Sequence, residues 1–190
     1  MSDRPFHPVF VFPKECARVV FDFSLGDGKD PRFAEGVWGL GRYAERRPGV
    51  YTAPQYGNVR DTHLGIDFFG PVGTPVHSFA DGIIESTAYN SLLQDYGNTI
   101  MVRYEDLLPD WPLVWALYGH LSAETLNRSK PGLRVETGSV LGWVGNRSEN
   151  GGWSPHLHFQ LTLKRPDVCD LPWAVAFSEF EQARLIYPDP

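Results

Sequence analysis

Cysteine is scarce in this chain. Cys16 and Cys169 are the only two, one near each end. A disulfide framework and a four-cysteine zinc site are therefore excluded by count. One bridge between the two is conceivable, but two unrelated buried thiols are the expectation. Long apolar runs are lacking too, and none approaches the ~18 residues of a membrane span. The N-terminal stretch MSDRPFHPVFVFPKEC has neither a basic leader nor a usable apolar run, and Pro5, Pro8 and Pro13 interrupt it. As written, the chain is expected in the cytoplasm; if a signal peptide has been trimmed from it, the expected place is periplasmic or extracellular. Positive charge is also short: 17 Lys and Arg stand against 23 Asp and Glu, a net charge of −6. The densest basic stretch, ERRPG at 45–49, reads as a solvated loop. A nucleic-acid backbone or an anionic membrane would want a basic stripe, and none is visible. Internal repeats and low-complexity tracts are missing as well.

What is present points to sheet. The 190 residues suit one domain with extensions, and 42% hydrophobic content supports a sizeable core. Nineteen Gly, sixteen Pro and 14% aromatic residues favour short strands and many turns. The stretches HPVFVF, ARVVFDFS, GNTIMVRYED, LVWALYGHL and HLHFQLTL read as strands. LGDGKDP at 25–31 reads as a turn cluster, and LPDWPL at 108–113 as a loop insertion. A hairpin is expected around Asp81-Gly82, two strands around ETGS, and a short helix or turn in SAETLNRSK. FSEFEQARLIY reads as a C-terminal helix, with Ser178 and Glu181 as a capping box. The expected fold is mainly β, a compact antiparallel sandwich or barrel-like core. An N-terminal extension would cover 1–55, the core 56–165 and a C-terminal helical extension 166–190.

The six histidines are 7, 63, 77, 120, 156 and 158. His63-Leu-Gly-Ile-Asp67 sets an imidazole and a carboxylate four apart, a spacing at which they can converge. His156-Leu-His158 sets two imidazoles on one strand face, with Leu157 and Phe159 on the other. His120 ends a separate strand. A catalytic zinc takes three His or carboxylate ligands and keeps a position open for water. His63, Asp67 and one of the pair 156/158 would supply them. The other, with His120, would be left for proton transfer or oxyanion stabilisation. The bland alternative is a scatter of surface histidines.

Taken in order, His63-Leu-Gly-Ile-Asp67, GTPVHSFADGII, YGNTIMVRYED, LYGHLS, VETGSVLGWVGN and SPHLHFQL resemble the lysostaphin/LytM-type zinc metalloendopeptidases over about residues 58–164. The resemblance implies a compact antiparallel β fold with a groove across one sheet, one zinc ion, and a peptide or peptidoglycan-fragment substrate. It implies His63, Asp67 and His158 as zinc ligands and His120 and His156 as the catalytic histidines. The partner expected is that substrate alone, with a monomeric chain and no nucleic acid. Gly73, Gly82, Gly97, Gly138, Gly142 and Gly145 are expected at turns or close contacts, Asp81 in a turn, Asn98 at a turn or the groove. His77 is expected to be structural and His7 on the surface. The chain departs from the family in Ser154-Pro155 before the His pair, where Gly-Pro is usual, in the long 106–113 segment, and in both ends. Two other readings are a zinc-containing peptide- or glycan-binding module, and a cytosolic zinc hydrolase akin to the peptidase-like domain of kinase/aminotransferase fusions.

Overall fold

The computed structural model describes residues 6–25, 29–34 and 36–190. Residues 26–28 of the expected 25–31 turn cluster lie outside the described residues. The protein is mostly β, as expected, with a short helix near its C-terminal end. Eight strands form one sheet: β1 (Val19–Val20), β2 (Gly39–Gly41), β4 (Ile66–Phe69), β6 (Gly82–Asn90), β7 (Gly97–Leu108), β8 (Trp111–Leu121), β9 (Arg134–Val135) and β11 (His156–Thr162). Their spatial order is β1-β2-β4-β11-β8-β7-β6-β9, antiparallel except for the β1–β2 pair. Two small ribbons pack on it: β5 (Pro75–His77) with β10 (Val140–Trp143), and β3 (Arg60–His63) with β12 (Ala174–Ala176).

Both faces of the central strands are buried, so β8 and β11 read as nearly continuous core rather than as clean alternation. Leu157, Phe159 and Leu161 of β11 join Val114, Ala116 and Tyr118 of β8 in one core, with Val9 and Phe10 against them. The opposite face of β8 sends Trp115 and Leu117 into a second core with Tyr51, Tyr96 and Trp173. On that second face β11 carries His156, His158 and Gln160, all buried.

Several local expectations change. β5 and β6 flank Asp81-Gly82 but do not pair; β5 bonds to β10 and β6 to β7 and β9. Each strand found a longer-range partner, and Asp81 instead caps the 136–138 turn by accepting from Thr137 N–H and O–H at 2.8 Å. The strands flanking ETGS part in the same way. LPDWPL is the tip of the β7–β8 hairpin, with Leu108 paired to Trp111, not an insertion. The helix in SAETLNRSK forms as α1 (Ala123–Arg128). The C-terminal helix is shorter than its pattern, a 3-10 turn at Phe177–Glu179 and then α2 (Phe180–Ala183), and Ser178 caps neither. Burial of Phe180 against Leu64 and Val175, not a cap, holds this turn down. Cys16 and Cys169 are both free; Cys169 is buried and Cys16 only half-buried.

Described parts of the 6–55 region are threaded into this core. Phe10 bridges to Val76, and β2 pairs with β4 in register Gly41↔Asp67. No helix among the described residues is long and apolar enough to cross a membrane.

Candidate metal centre and active site

β11 lies between β4 and β8, and the register sets His158 opposite both Asp67 and Gly119. Opposed residues in an antiparallel pair share a face, so His158 and Asp67 meet there. His63 arrives from a different sheet. It ends β3, and the chain turns sharply at Leu64-Gly65 before β4 begins. Gly65 is needed for that turn to lie close: a Cβ there would stand 2.6 Å from His158 Cε1 and 2.7 Å from its Nε2. The His63–Asp67 pair is thus joined by a corner between the β3–β12 ribbon and the eight-stranded sheet, not by one strand or one helical turn.

Three atoms converge. His63 Nε2 and His158 Nδ1 are 3.1 Å apart, His158 Nδ1 and Asp67 Oδ1 3.0 Å, and His63 Nε2 and Asp67 Oδ1 3.3 Å. The outer atoms decide which protons these groups carry. His63 Nδ1–H donates to the Arg42 carbonyl at 3.0 Å, which leaves Nε2 a bare lone pair. His158 Nε2–H donates to Gln160 Oε1 at 3.0 Å, which leaves Nδ1 bare. The Gln160 amide is itself oriented, because its Nε2 donates to the Pro172 carbonyl. Two lone pairs and a carboxylate oxygen therefore face one another with no hydrogen between them. Such a triangle repels itself unless a cation sits on it. Its edges match the roughly 3.3 Å between ligand atoms of a tetrahedral zinc bound at about 2.0–2.1 Å. The donor set fits a zinc ion, and these three residues could hold one.

Electrostatics agree with that reading. Burial, with Arg47 nearby, pulls His63 down to about 4, so it is neutral and able to ligate. Burial opposes ionisation of Asp67, but His63 and Arg47 outweigh it and hold the carboxyl well below its usual range.

The other two site histidines stand beside the triangle. His156 Nδ1–H donates to the Ser154 carbonyl at 2.7 Å and its ring stacks on Phe69 at 4.8 Å. His156 Nε2 is 3.7 Å from Asp67 Oδ1. His120 Nδ1–H donates to the Asn150 carbonyl at 2.9 Å. Their ring centroids are 4.3 Å apart. Burial first, and then His156, holds His120 well below its ordinary value; burial lowers His156 as well, against the pull of Asp67. His120 has φ of 64°, a left-handed conformation rare for a residue with a side chain. It is clamped there by its N–H on the Tyr96 carbonyl and by Gly145 N–H on its own carbonyl, both at 2.8 Å.

All five residues line one cleft of about 330 Å³, walled by Phe23, Phe33, Tyr51, Trp153 and Trp173 among others. The RSENGGW segment, 147–153, supplies one wall and the Asn150 carbonyl that orients His120, and Ser154 just after it supplies the carbonyl that orients His156. Asn98 is buried beneath that segment, donating to the Leu121 and Glu149 carbonyls at 3.1 Å; it is scaffold rather than a groove residue. His77 and His7 lie apart from the site with rings 5.1 Å from each other, His7 half-buried rather than on the open surface.

Arg47 is the largest surprise. The expected solvated loop at 45–49 carries two buried charges, Glu45 and Arg47. Arg47 Nη1 donates to Asp67 Oδ2 at 2.6 Å and its Nε to Glu45 Oε2 at 3.0 Å. Nothing in a short basic run signals this; the contact depends on β2 pairing with β4. Gln160 was legible in principle, since it follows His156 and His158 at the same two-residue interval.

The model of Peptidase family M23 matches residues 61–168. The peptidoglycan DD-endopeptidase ShyC of Vibrio cholerae is 31% identical over 125 residues, 64% of this chain and 25% of that protein. The glycyl-glycine endopeptidase ALE-1 of Staphylococcus capitis is 37% identical over 99 residues, 52% of this chain and 24% of that protein. The matches span about a quarter of the length of these curated relatives. Among solved structures, the catalytic domain of the prophage-encoded M23 protein EnpA from Enterococcus faecalis superposes with a TM-score of 0.50 and 25% identity, covering 78% of this chain and 94% of that one. With the family model matched over more than half of the chain, across the span that holds His63, Asp67, His120, His156 and His158, the chain belongs to peptidase family M23.

Proposed function

We propose that the protein is a zinc-dependent endopeptidase that hydrolyses a peptide bond in peptidoglycan-type peptides. The observation that carries this reading is the proton-free triangle of His63, Asp67 and His158, with two further oriented imidazoles in the same cleft. The relatives named above, a peptidoglycan DD-endopeptidase and a glycyl-glycine endopeptidase, support the substrate class. A wall substrate would place the working protein outside the cytoplasm.

His63, Asp67 and His158 would hold the ion. When bound, zinc supplies Lewis acidity that brings the pKa of water to about 7 and polarises a carbonyl. The remaining chemistry belongs to the side chains. With Nδ1–H committed to a carbonyl, a neutral His156 or His120 can only accept at Nε2. Both therefore begin as acceptors that orient the attacking water. His156 takes the water proton, because Asp67 at 3.7 Å and the Ser154 carbonyl both favour its imidazolium. Once protonated, His156 is a donor at Nε2. It can bond the developing oxyanion and then pass its proton to the leaving amine, which returns it to its starting state. His120, packed against it, positions the water and disfavours a second positive charge.

The test is the zinc content of the purified chain beside Asp67→Ala, with both incubated with purified peptidoglycan and with pentaglycine. About one zinc per chain, lost in the variant together with cleavage, is the expected result. Cleavage that survives in a zinc-free variant would overturn the reading.

A further inference from the structure

Asp67 presents only one of its oxygens to the imidazoles. Oδ1 lies 3.0 and 3.3 Å from the His158 and His63 nitrogens, whereas Oδ2 turns away to Arg47 Nη1 at 2.6 Å. The guanidinium is aimed, not loosely placed. Its Nε bonds Glu45 Oε2 at 3.0 Å, and Nη2 reaches the Arg42 carbonyl at 3.4 Å. Glu45 is in turn fixed by the Phe23 N–H and the Arg42 side chain, both on its Oε1. The backbone has made room for this arrangement. Gly41 sits opposite Asp67 on β2, and a Cβ at 41 would stand 2.6 Å from Arg47 Nη2 and 3.1 Å from Asp67 Oδ2. Arg47, Glu45 and Gly41 all precede the segment matched by the family model, which begins at residue 61.

We infer that Arg47 is a positioning residue of the metal centre: it occupies Asp67 Oδ2 so that the carboxylate can bind metal through Oδ1 alone. A carboxylate free of Arg47 could rotate and offer both oxygens, filling the coordination position that a hydrolytic site keeps open for water. Outer partners of metal ligands commonly act in this way, by fixing ligand orientation. A planar fork suits the task better than a lysine point charge, since one face must grip Glu45 while the other grips Asp67. This inference rests on the metal reading above.

The experiment compares the full-length chain with Arg47→Met, Arg47→Lys and Gly41→Ala. Zinc affinity is read by competition with a chromogenic chelator, and the visible absorption of the cobalt-substituted protein reports coordination number. Arg47→Met should weaken zinc binding about 10- to 100-fold and weaken the cobalt bands, as a fourth coordination position gives way to a fifth. Arg47→Lys should recover part of both. Gly41→Ala leaves every charge in place and displaces the guanidinium, so it should reproduce the spectral change even if Arg47→Met fails to fold. A wild-type chain that binds no metal sinks the metal reading and this one with it. A wild-type chain that binds metal, beside variants with the same affinity and the same cobalt spectrum, overturns the role of Arg47 alone.

Discussion

At the scale of single residues, the site is a matter of which nitrogen carries the hydrogen. Five backbone or side-chain acceptors make the choice: the carbonyls of Arg42, Ser154 and Asn150, the Gln160 amide oxygen, and Pro172 behind it. They leave lone pairs on His63 Nε2 and His158 Nδ1 where a metal would sit, and on the Nε2 atoms of His156 and His120 where water would sit. This separation of roles gives a direct prediction. His156→Ala should lower kcat by about 10²–10⁴ while zinc content stays at the wild-type level, because His156 holds no edge of the ligand triangle. Steady-state kinetics beside metal analysis checks it, and a variant that loses its zinc would assign His156 to the ligand set instead.

At the scale of elements, β11 is the part most faithfully written in the primary structure. His156, His158 and Gln160 alternate with Leu157, Phe159 and Leu161, and the two sets enter opposite cores. The hairpin around Asp81-Gly82 was misleading because a turn signal is local, whereas β5 pairs with the distant β10, and β6 with the following strand β7 and the distant β9. The capping box at Ser178 was misleading for a related reason. A four-residue α2 pinned by Phe180 has little use for a cap, and Ser178 is exposed with no capping hydrogen bond. Ser178→Ala should therefore change stability by no more than about 0.5 kcal/mol, against about 1 kcal/mol for a formed N-cap. Urea denaturation would measure it, and a loss near 1 kcal/mol would mean that the hydroxyl caps this turn after all.

At the scale of the whole molecule, the buried centre makes the metal-free protein sensitive to acid. His63 falls to about 4 in the fold, against about 6.5 in an unfolded chain. Between those values the unfolded chain binds more protons than the folded one, so stability is complete above about pH 6.5 and declines as pH falls toward 4. His120, His156 and Asp67 are all displaced downward and act in the same direction. The contribution of His63 alone is up to roughly 3 kcal/mol. Urea midpoints of chelator-treated protein should thus be clearly lower at pH 4.5 than at pH 7.5; equal midpoints would mean that these histidines are not buried neutral.

The primary structure by itself determined the chemistry available: a chain too poor in cysteine for a thiolate site, rich in short strands, with His63, Asp67, His120, His156 and His158 in blocks whose order resembles one peptidase family. It also determined which side chains of β11 share a face, because a strand alternates with period two wherever it is placed. Only the tertiary structure decided how those groups meet. His63 and Asp67 each reach His158 across more than 90 residues of chain, and such distances are closed by strand register and by glycine clearances, not by local periodicity. The same holds for Arg47. In the chain it is one cation of a short basic run, and it becomes the partner of Asp67 because β2 lies against β4 with Gly41 leaving room between them. Burial then holds the guanidinium to its carboxylates, since a buried cation stripped of its partners is strongly destabilising.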